Sequence, residues 1–213
     1  RPLLDHLHEL KERGIGCYIQ YSLNDYEDEK LERGVPPLNE RINTFKELVD
    51  TLGKGSVIWR FDPLMLTDDI DIDKLLKKIE NIGDQLKDYT EKLVFSYADI
   101  SLYRKVKNNL ETNGIPYHEW TDEQMREFAS RLVQLNKEKN WNFRLATCGE
   151  KGSFPDIEHN HCVDDELIIR RGYHDRELMN FLKAEVRPMP TQDIFGESEP
   201  LPADAIILNK NQY

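Results

Sequence analysis

The feature that most limits what this chain can fold into is a regular alternation of strand-forming and helix-forming segments. Cys17-Tyr18-Ile19-Gln20-Tyr21-Ser22 is a run of strand formers. After Pro36-Pro37, a helical stripe carries Leu38, Ile42, Phe45, Leu48, Val49 and Leu52, with Gly53 past its end. Ser56-Val57-Ile58-Trp59-Arg60-Phe61 reads as a second strand, stopped by Asp62-Pro63. Ile72, Leu75, Leu76, Ile79, Ile82 and Leu86 make a second helical face, and Leu93-Val94-Phe95-Ser96-Tyr97 is a third strand. A polar connection from Asn108 to Trp120 leads to a capping box, Thr121 with Gln124. That box opens a helix carrying Met125, Phe128, Ala129, Leu132 and Val133, and Asn142-Phe143-Arg144-Leu145-Ala146-Thr147 is the fourth strand. Ahead of all these, Leu3, Leu4, Leu7 and Leu10 recur at helical spacing.

Strict alternation of strand and helix requires a parallel sheet. The expected class is therefore α/β, a parallel (β/α) repeat. Four strands cannot close a barrel, so the sheet is either open or a partial TIM-like barrel that residues before Arg1 and after Tyr213 would complete. We assign residues 1–184 to this unit and residues 185–213 to a Pro-rich extension in which Ala205-Ile206-Ile207-Leu208 is one further strand.

Composition narrows the partners. Forty acidic against 29 basic residues give a formal charge of -11, a field that disfavours nucleic-acid backbones and anionic lipid. A small-molecule ligand fits better. No apolar run approaches a membrane span and no leader precedes the first helix, so a cytoplasmic protein is expected. Three cysteines, Cys17, Cys148 and Cys162, are too few and too odd in number for a disulfide framework and are expected as thiols.

In parallel α/β folds the site lies at the carboxyl ends of the strands. Each strand here ends in polar residues: Gln20, Ser22 and Asn24; Arg60 and Asp62; Ser96 and Asp99; Thr147, Cys148 and Glu150. Arg60 and Asp62 are two apart and share a strand face. In one reading Arg60 presents its fork to a carboxylate or phosphate and Asp62 holds it. In the other the two form a structural ion pair and Asp62 closes an Asp-Pro turn. Asp99 and Glu150 are candidates for moving protons, against a plainer role as solvated loop residues. Cys148, His159, His161 and Cys162 are the densest set of metal-capable side chains, yet their spacing matches no zinc pattern, and a polar loop with one buried cysteine is the alternative. Glycine-rich nucleotide loops, a G-x-S-x-G elbow and H-E-x-x-H are all absent from the sequence.

The runs from Gln20 to Tyr26, Leu31-Glu32-Arg33-Gly34-Val35-Pro36-Pro37-Leu38-Asn39-Glu40-Arg41 and Val57-Ile58-Trp59-Arg60-Phe61-Asp62-Pro63 resemble, in that order, the motifs of an uncharacterised bacterial domain-of-unknown-function family. Its members read F-T-x-T-x-Y, L-E-P-x-V-P-P-L-E-E-R-I and V-I-W-R-Y-D-P. Val94 to Asp99, Cys148-Gly149-Glu150 and Cys162 to Ile168 resemble its later V-I-S-F-x-D, C-A-E and C-I-D-G-x-L-I. That family is in turn similar to radical-SAM proteins of the spore photoproduct lyase and DNA-repair photolyase type. The resemblance implies a partial (β/α) barrel and, in the full-length protein, an iron-sulfur cluster with S-adenosylmethionine. The family's cysteine cluster follows a K-x-x-x-Q-R stretch. Lys210-Asn211-Gln212-Tyr213 resembles the start of that stretch, and no such cluster occurs in this sequence, so no cofactor is assigned to this chain itself. The expected function is the substrate-facing scaffold of an iron-sulfur enzyme, with Arg60 binding an anionic group; the alternative is a non-catalytic module that binds a small molecule or nucleotide.

Overall fold

The computed structural model of the chain describes residues 2–148, 153–188 and 205–209. Along the chain run α1 (Pro2–Glu12), β1 (Ile19–Ser22), α2 (Leu38–Leu52), β2 (Val57–Leu64), β3 (Leu66–Thr67), α3 (Ile72–Leu86), β4 (Lys92–Tyr97), α4 (Arg104–Thr112), β5 (Tyr117–His118), α5 (Asp122–Glu138), β6 (Arg144–Thr147), β7 (Glu158–His159), α6 (Asp165–Gly172), α7 (Arg176–Leu182), β8 (Glu185–Pro188) and β9 (Ala205–Asn209). Five of the strands form one parallel sheet in the order β1-β2-β4-β6-β7. β3 with β5, and β8 with β9, make two small antiparallel pairs. The α/β class with a parallel sheet is thus the observed one.

Alternation along the strands decides which layer each residue joins. Val57, Trp59 and Phe61, Leu93, Phe95 and Tyr97, and Leu145 are buried in one cluster with Ile42, Phe45 and Leu48 of α2, Leu75 and Ile79 of α3, and Phe128 and Leu132 of α5. Three crossover helices therefore cover one face. Every strand of the sheet also lies beside its predecessor, without the reversal of order that marks a doubly wound sheet.

The opposite, inner face is treated differently. Ile58, Val94 and Ala146 pack against a single residue of α6, Leu167, with Tyr18 and Cys148 at the margin. Two hydrogen bonds join the β1 end of the sheet to the segment that follows β7 across this face. The backbone N–H of Asp164 donates to the Tyr18 hydroxyl at 3.0 Å, and Gln20 Nε2 donates to the Cys162 carbonyl at 3.0 Å. The segment leaving β7 therefore passes in front of the sheet toward β1. Asp164 caps α6 by accepting from Leu167 N, and its other oxygen binds Lys92 Nζ at 3.0 Å, both side chains being about nine-tenths buried.

The structure departs from the sequence expectations in four places. β2 does not stop at Asp62-Pro63 but runs through that peptide, which is cis, to Leu64, with a register shift after Phe61. Its edge toward β1 carries no ladder there, so a residue without an N–H is tolerated. The connection from Asn108 to Trp120 contains most of α4, whose one buried residue is Leu110; a single contact leaves no stripe to read. β7 and β8 are too short to carry a pattern. The capping box at Thr121 and Gln124, and the strand at Ala205, lie where the sequence puts them.

Helix α3 contains a glycine for a steric reason. A Cβ at Gly83 would lie 2.7 Å from the ring of Trp141, which is buried and pinned by Nε1 donating to Asp84 Oδ1 at 2.8 Å. Alanine gains roughly 1 kcal/mol of helix propensity, but overpacking costs about 1–3 kcal/mol. Gly83→Ala is therefore expected to lower the urea midpoint, and a raised midpoint would mean that the ring yields.

The Lys92 and Asp164 pair has a pH signature. Burial acts to raise the pKa of Asp164, but the Leu167 N–H and Lys92 outweigh it and hold the carboxyl below its ordinary value. A carboxyl whose folded pKa is depressed contributes stability above its unfolded pKa and loses it as pH falls through the folded one. Stability should decline as pH drops below about 4. Asp164→Asn should flatten that decline and cost as much as about 3–5 kcal/mol at neutral pH, because Lys92 then stays buried with only Glu158 Oε2, 4.0 Å away, as a counter-charge. Denaturant titrations from pH 2 to 7 measure both.

Candidate functional site

The inner face carries the charged Lys92 and Arg144 at the amino ends of β4 and β6, an apolar band of Ile58, Val94 and Ala146 above them, and polar residues near the carboxyl ends. Even-numbered positions continue upward from Ile58, Val94 and Ala146 to Arg60 and Asp62, Ser96 and Cys148, with Gln20 on β1 and Asn160 just past β7. Helix α6 covers the lower half only, so the upper half is where side chains from five strands can meet a ligand.

Arg60 is the hub. Its Nε donates to Asp62 Oδ2 at 3.1 Å and its Nη2 reaches the same oxygen. Nη1 donates to Gln20 Oε1 at 2.6 Å, and Nη2 also faces Cys148 Sγ at 3.7 Å. Of the five guanidinium N–H groups, one on Nη1 has no partner among the described residues. The Asp62 carboxylate takes the Ser96 hydroxyl on its other oxygen. Burial alone would lower the pKa of Arg60, but the Asp62 hydrogen bond and charge, helped by Cys148 and Cys162, more than offset it and raise it. The guanidinium is thus a fixed cation whose side chain keeps 20% of its surface exposed. The ion pair of Arg60 and Asp62 that the sequence offers is present, whereas Asp62 lies within β2 and closes no turn.

Asn24 reaches the site through the backbone. Its Oδ1 accepts from Asp62 N at 2.8 Å and its Nδ2 donates to the Asp62 carbonyl at 3.2 Å, so one buried amide holds Asp62 from both sides. Arg41, buried, in turn holds the loop that carries Asn24, donating to the Asn24 carbonyl at 3.1 Å and pairing with Glu32 and Glu27. Much of the L-E-x-x-V-P-P-L-x-E-R stretch is therefore there to fold the β1–α2 loop.

The remaining candidates stand apart from this hub. Asp99 is exposed and closes a turn, accepting from Ser101 Oγ at 2.8 Å and Leu102 N at 3.3 Å. Glu150 lies outside the described residues. His159 is exposed, and His161, also exposed, meets Asp165 Oδ1 through Nδ1 at 3.2 Å. Cys162 is exposed and enters the site by its carbonyl, which Gln20 binds. Among the described residues, no group of three or more His, Cys, Asp or Glu side chains is placed to hold a metal ion.

Sequence reading missed Asn160. It is 5% exposed, and its Nδ2 donates to Cys148 Sγ at 3.1 Å and to the His161 carbonyl at 3.0 Å. Two exposed histidines flank it, so the segment reads as a solvated loop. Its backbone gives it away, because Asn160 N donates to the Thr147 carbonyl at 2.8 Å and extends the β6–β7 ladder by one residue.

If Asn24 sets the position of Asp62, Asn24→Ala leaves buried backbone polar groups without partners and should cost about 1–3 kcal/mol in urea denaturation. An unchanged midpoint would mean that solvent replaces the amide.

No curated protein and no solved structure matches the chain. No described helix is long and apolar enough to cross a membrane. A family model, that of the domain of unknown function DUF1848, matches residues 1–194, nearly the whole chain, and so the chain belongs to this family.

Proposed function

We propose that the carboxyl edge of the sheet is a small-molecule site in which Arg60 receives an anionic group, a carboxylate or a phosphate, and that the chain is the substrate-facing scaffold of a partial (β/α) barrel enzyme. One observation carries this reading: Arg60 is oriented by Asp62 and Gln20, remains one-fifth exposed, and stands where side chains of several strands converge. A cation whose direction is fixed in advance binds an anion at a smaller entropic cost than a mobile lysine. The winding of the sheet, with consecutive strands adjacent and the crossover helices α2, α3 and α5 on one face, supports the barrel part of the proposal. A charge of -11 over the chain makes a small anion a better guest than nucleic acid.

The resemblance to radical-SAM proteins extends the proposal to iron-sulfur chemistry. The described residues do not fit a cluster: Cys148 takes N–H donors from Arg60 and Asn160, Cys162 presents its carbonyl, and no third ligand joins them. The role left to this chain is binding and orientation by its own side chains. A binding module without chemistry is the second reading. Favouring it, two carboxylates near this edge, Asp62 and Asp99, are held in internal hydrogen bonds.

Differential scanning fluorimetry with inorganic phosphate, and separately with S-adenosylmethionine, tests the site. At ten times Kd a ligand adds about 1.4 kcal/mol, or roughly 3–6 °C in Tm for a chain of this size. Phosphate should raise the Tm of the native protein and leave that of Arg60→Gln unchanged, with circular dichroism confirming that the variant is folded. Equal rises in both proteins, or none in the native one, would remove Arg60 from the anion site. A rise with S-adenosylmethionine that also depends on Arg60 would favour the enzyme over the binding module.

A further inference from the structure

We infer that Cys148 is a nucleophilic thiol, and that the site presents it to a small anionic molecule whose electrophilic carbon lies next to its carboxylate. The inference rests on the anion-binding role of Arg60 proposed above and adds the group that would react.

Four observations converge on the sulfur. Cys148 is half-buried at the carboxyl end of β6, on the same face as Arg60 and Ser96. Arg60 Nη2 faces Sγ at 3.7 Å, and the buried Asn160 amide donates to it at 3.1 Å, so two N–H groups from different strands are aimed at one sulfur. Both N–H groups of the Asn160 amide are used, the second on the His161 carbonyl, which fixes the direction of the first. The inner-face cluster of Ile58, Val94, Ala146 and Leu167 packs against Cys148 on one side and leaves the side chain half-buried. The attacking form of a cysteine is the thiolate, whose lone pairs are acceptors, and this surround is made of donors. Cys17 has the opposite setting: it packs at the edge of the core, and burial pushes its thiol up.

The neighbouring cation decides the substrate class. An anion held by the remaining Nη1 N–H of Arg60 sits beside the sulfur, so the carbon attached to a bound carboxylate lies within reach of Sγ. In the reaction a sulfur lone pair forms the S–C bond, the leaving group departs from carbon with the bonding electron pair, and the thiol proton passes to solvent. Nothing is oxidised or reduced.

Iodoacetate and iodoacetamide measure this directly, since they form the same S–CH2 bond, release iodide, and differ in charge at the group next to the reacting carbon. The folded native chain is treated with each reagent at neutral pH, and alkylation of Cys17, Cys148 and Cys162 is followed by peptide mass spectrometry, with N-acetylcysteine as the solution reference. Cys148 should be labelled first by both reagents. Its ratio of iodoacetate to iodoacetamide rates should exceed that of N-acetylcysteine by about tenfold, the scale of one favourable charge contact. Arg60→Gln should return the ratio to the reference value, and Cys148→Ser should remove the fast phase. Cys148 labelled no faster than Cys162 by either reagent would overturn the nucleophile even if phosphate binds at Arg60. Fast labelling by iodoacetamide without preference for iodoacetate would overturn the assigned substrate class and, with it, the anion-binding role of Arg60.

Discussion

A lysine buried in the middle strand of a parallel sheet must find a counter-charge, and much of this molecule follows from how Lys92 does so. Its partner, Asp164, stands outside the sheet at the start of α6. Because the pair is held at 3.0 Å with little solvent, the first turn of α6 is fixed against the inner face. That position brings Asp164 N to Tyr18 and the Cys162 carbonyl to Gln20, and it places Asn160 beside Cys148. A single buried charge on β4 thus settles how the chain returns from β7 to β1. The cost of desolvating two charges is offset only in a geometry this well satisfied, and the Asp164 carboxylate has a further donor in the Leu167 N–H.

The same economy of partners shapes the upper half of the inner face. Arg60 is a cation in a chain of strongly negative net charge, and it is surrounded by groups that each fix one of its donors. Asp62 is shared between Arg60 and Ser96 through its side chain and held by Asn24 through its backbone. Moving any one of these side chains changes the aim of the others, because coupled hydrogen bonds do not act as independent contacts. The electrostatics around Arg60 is therefore a property of the set.

How much of this was legible in the sequence follows from how each feature is encoded. The stripe of Ile42, Phe45 and Leu48 and that of Leu75, Ile79 and Ile82 are repeated over several turns, and a repeated pattern reports its own fold. So does alternation in β2, which puts Arg60 and Asp62 on one face. Features made by a single contact leave no such trace. α4 buries only Leu110, and β7 is two residues long. Lys92 and Asp164 are 72 residues apart, and nothing local marks either as buried. Asp99 looked like a strand-end acid, yet its carboxylate completes a turn, which composition cannot distinguish from a catalytic setting. Arg41 belongs to a conspicuous motif whose work is to brace a loop, a reminder that a recognisable sequence signature and a reactive group are separate things.

The two hydrogen bonds that join the segment after β7 to the β1 end of the sheet have a consequence for motion. A sheet edge ordinarily frays first, since its outer strand has neighbours on one side only. Here β1 and the residue before it are tied through the Tyr18 and Gln20 side chains to the backbone of the segment entering α6, so that segment latches the first strand of the sheet. Releasing the latch would loosen β1, free the amino end of α6 and disperse the groups around Arg60 together. Exchange of the amide protons at these three places should therefore follow one common opening, so that the shape of the pocket and the integrity of the sheet's rim are lost or kept as a single unit.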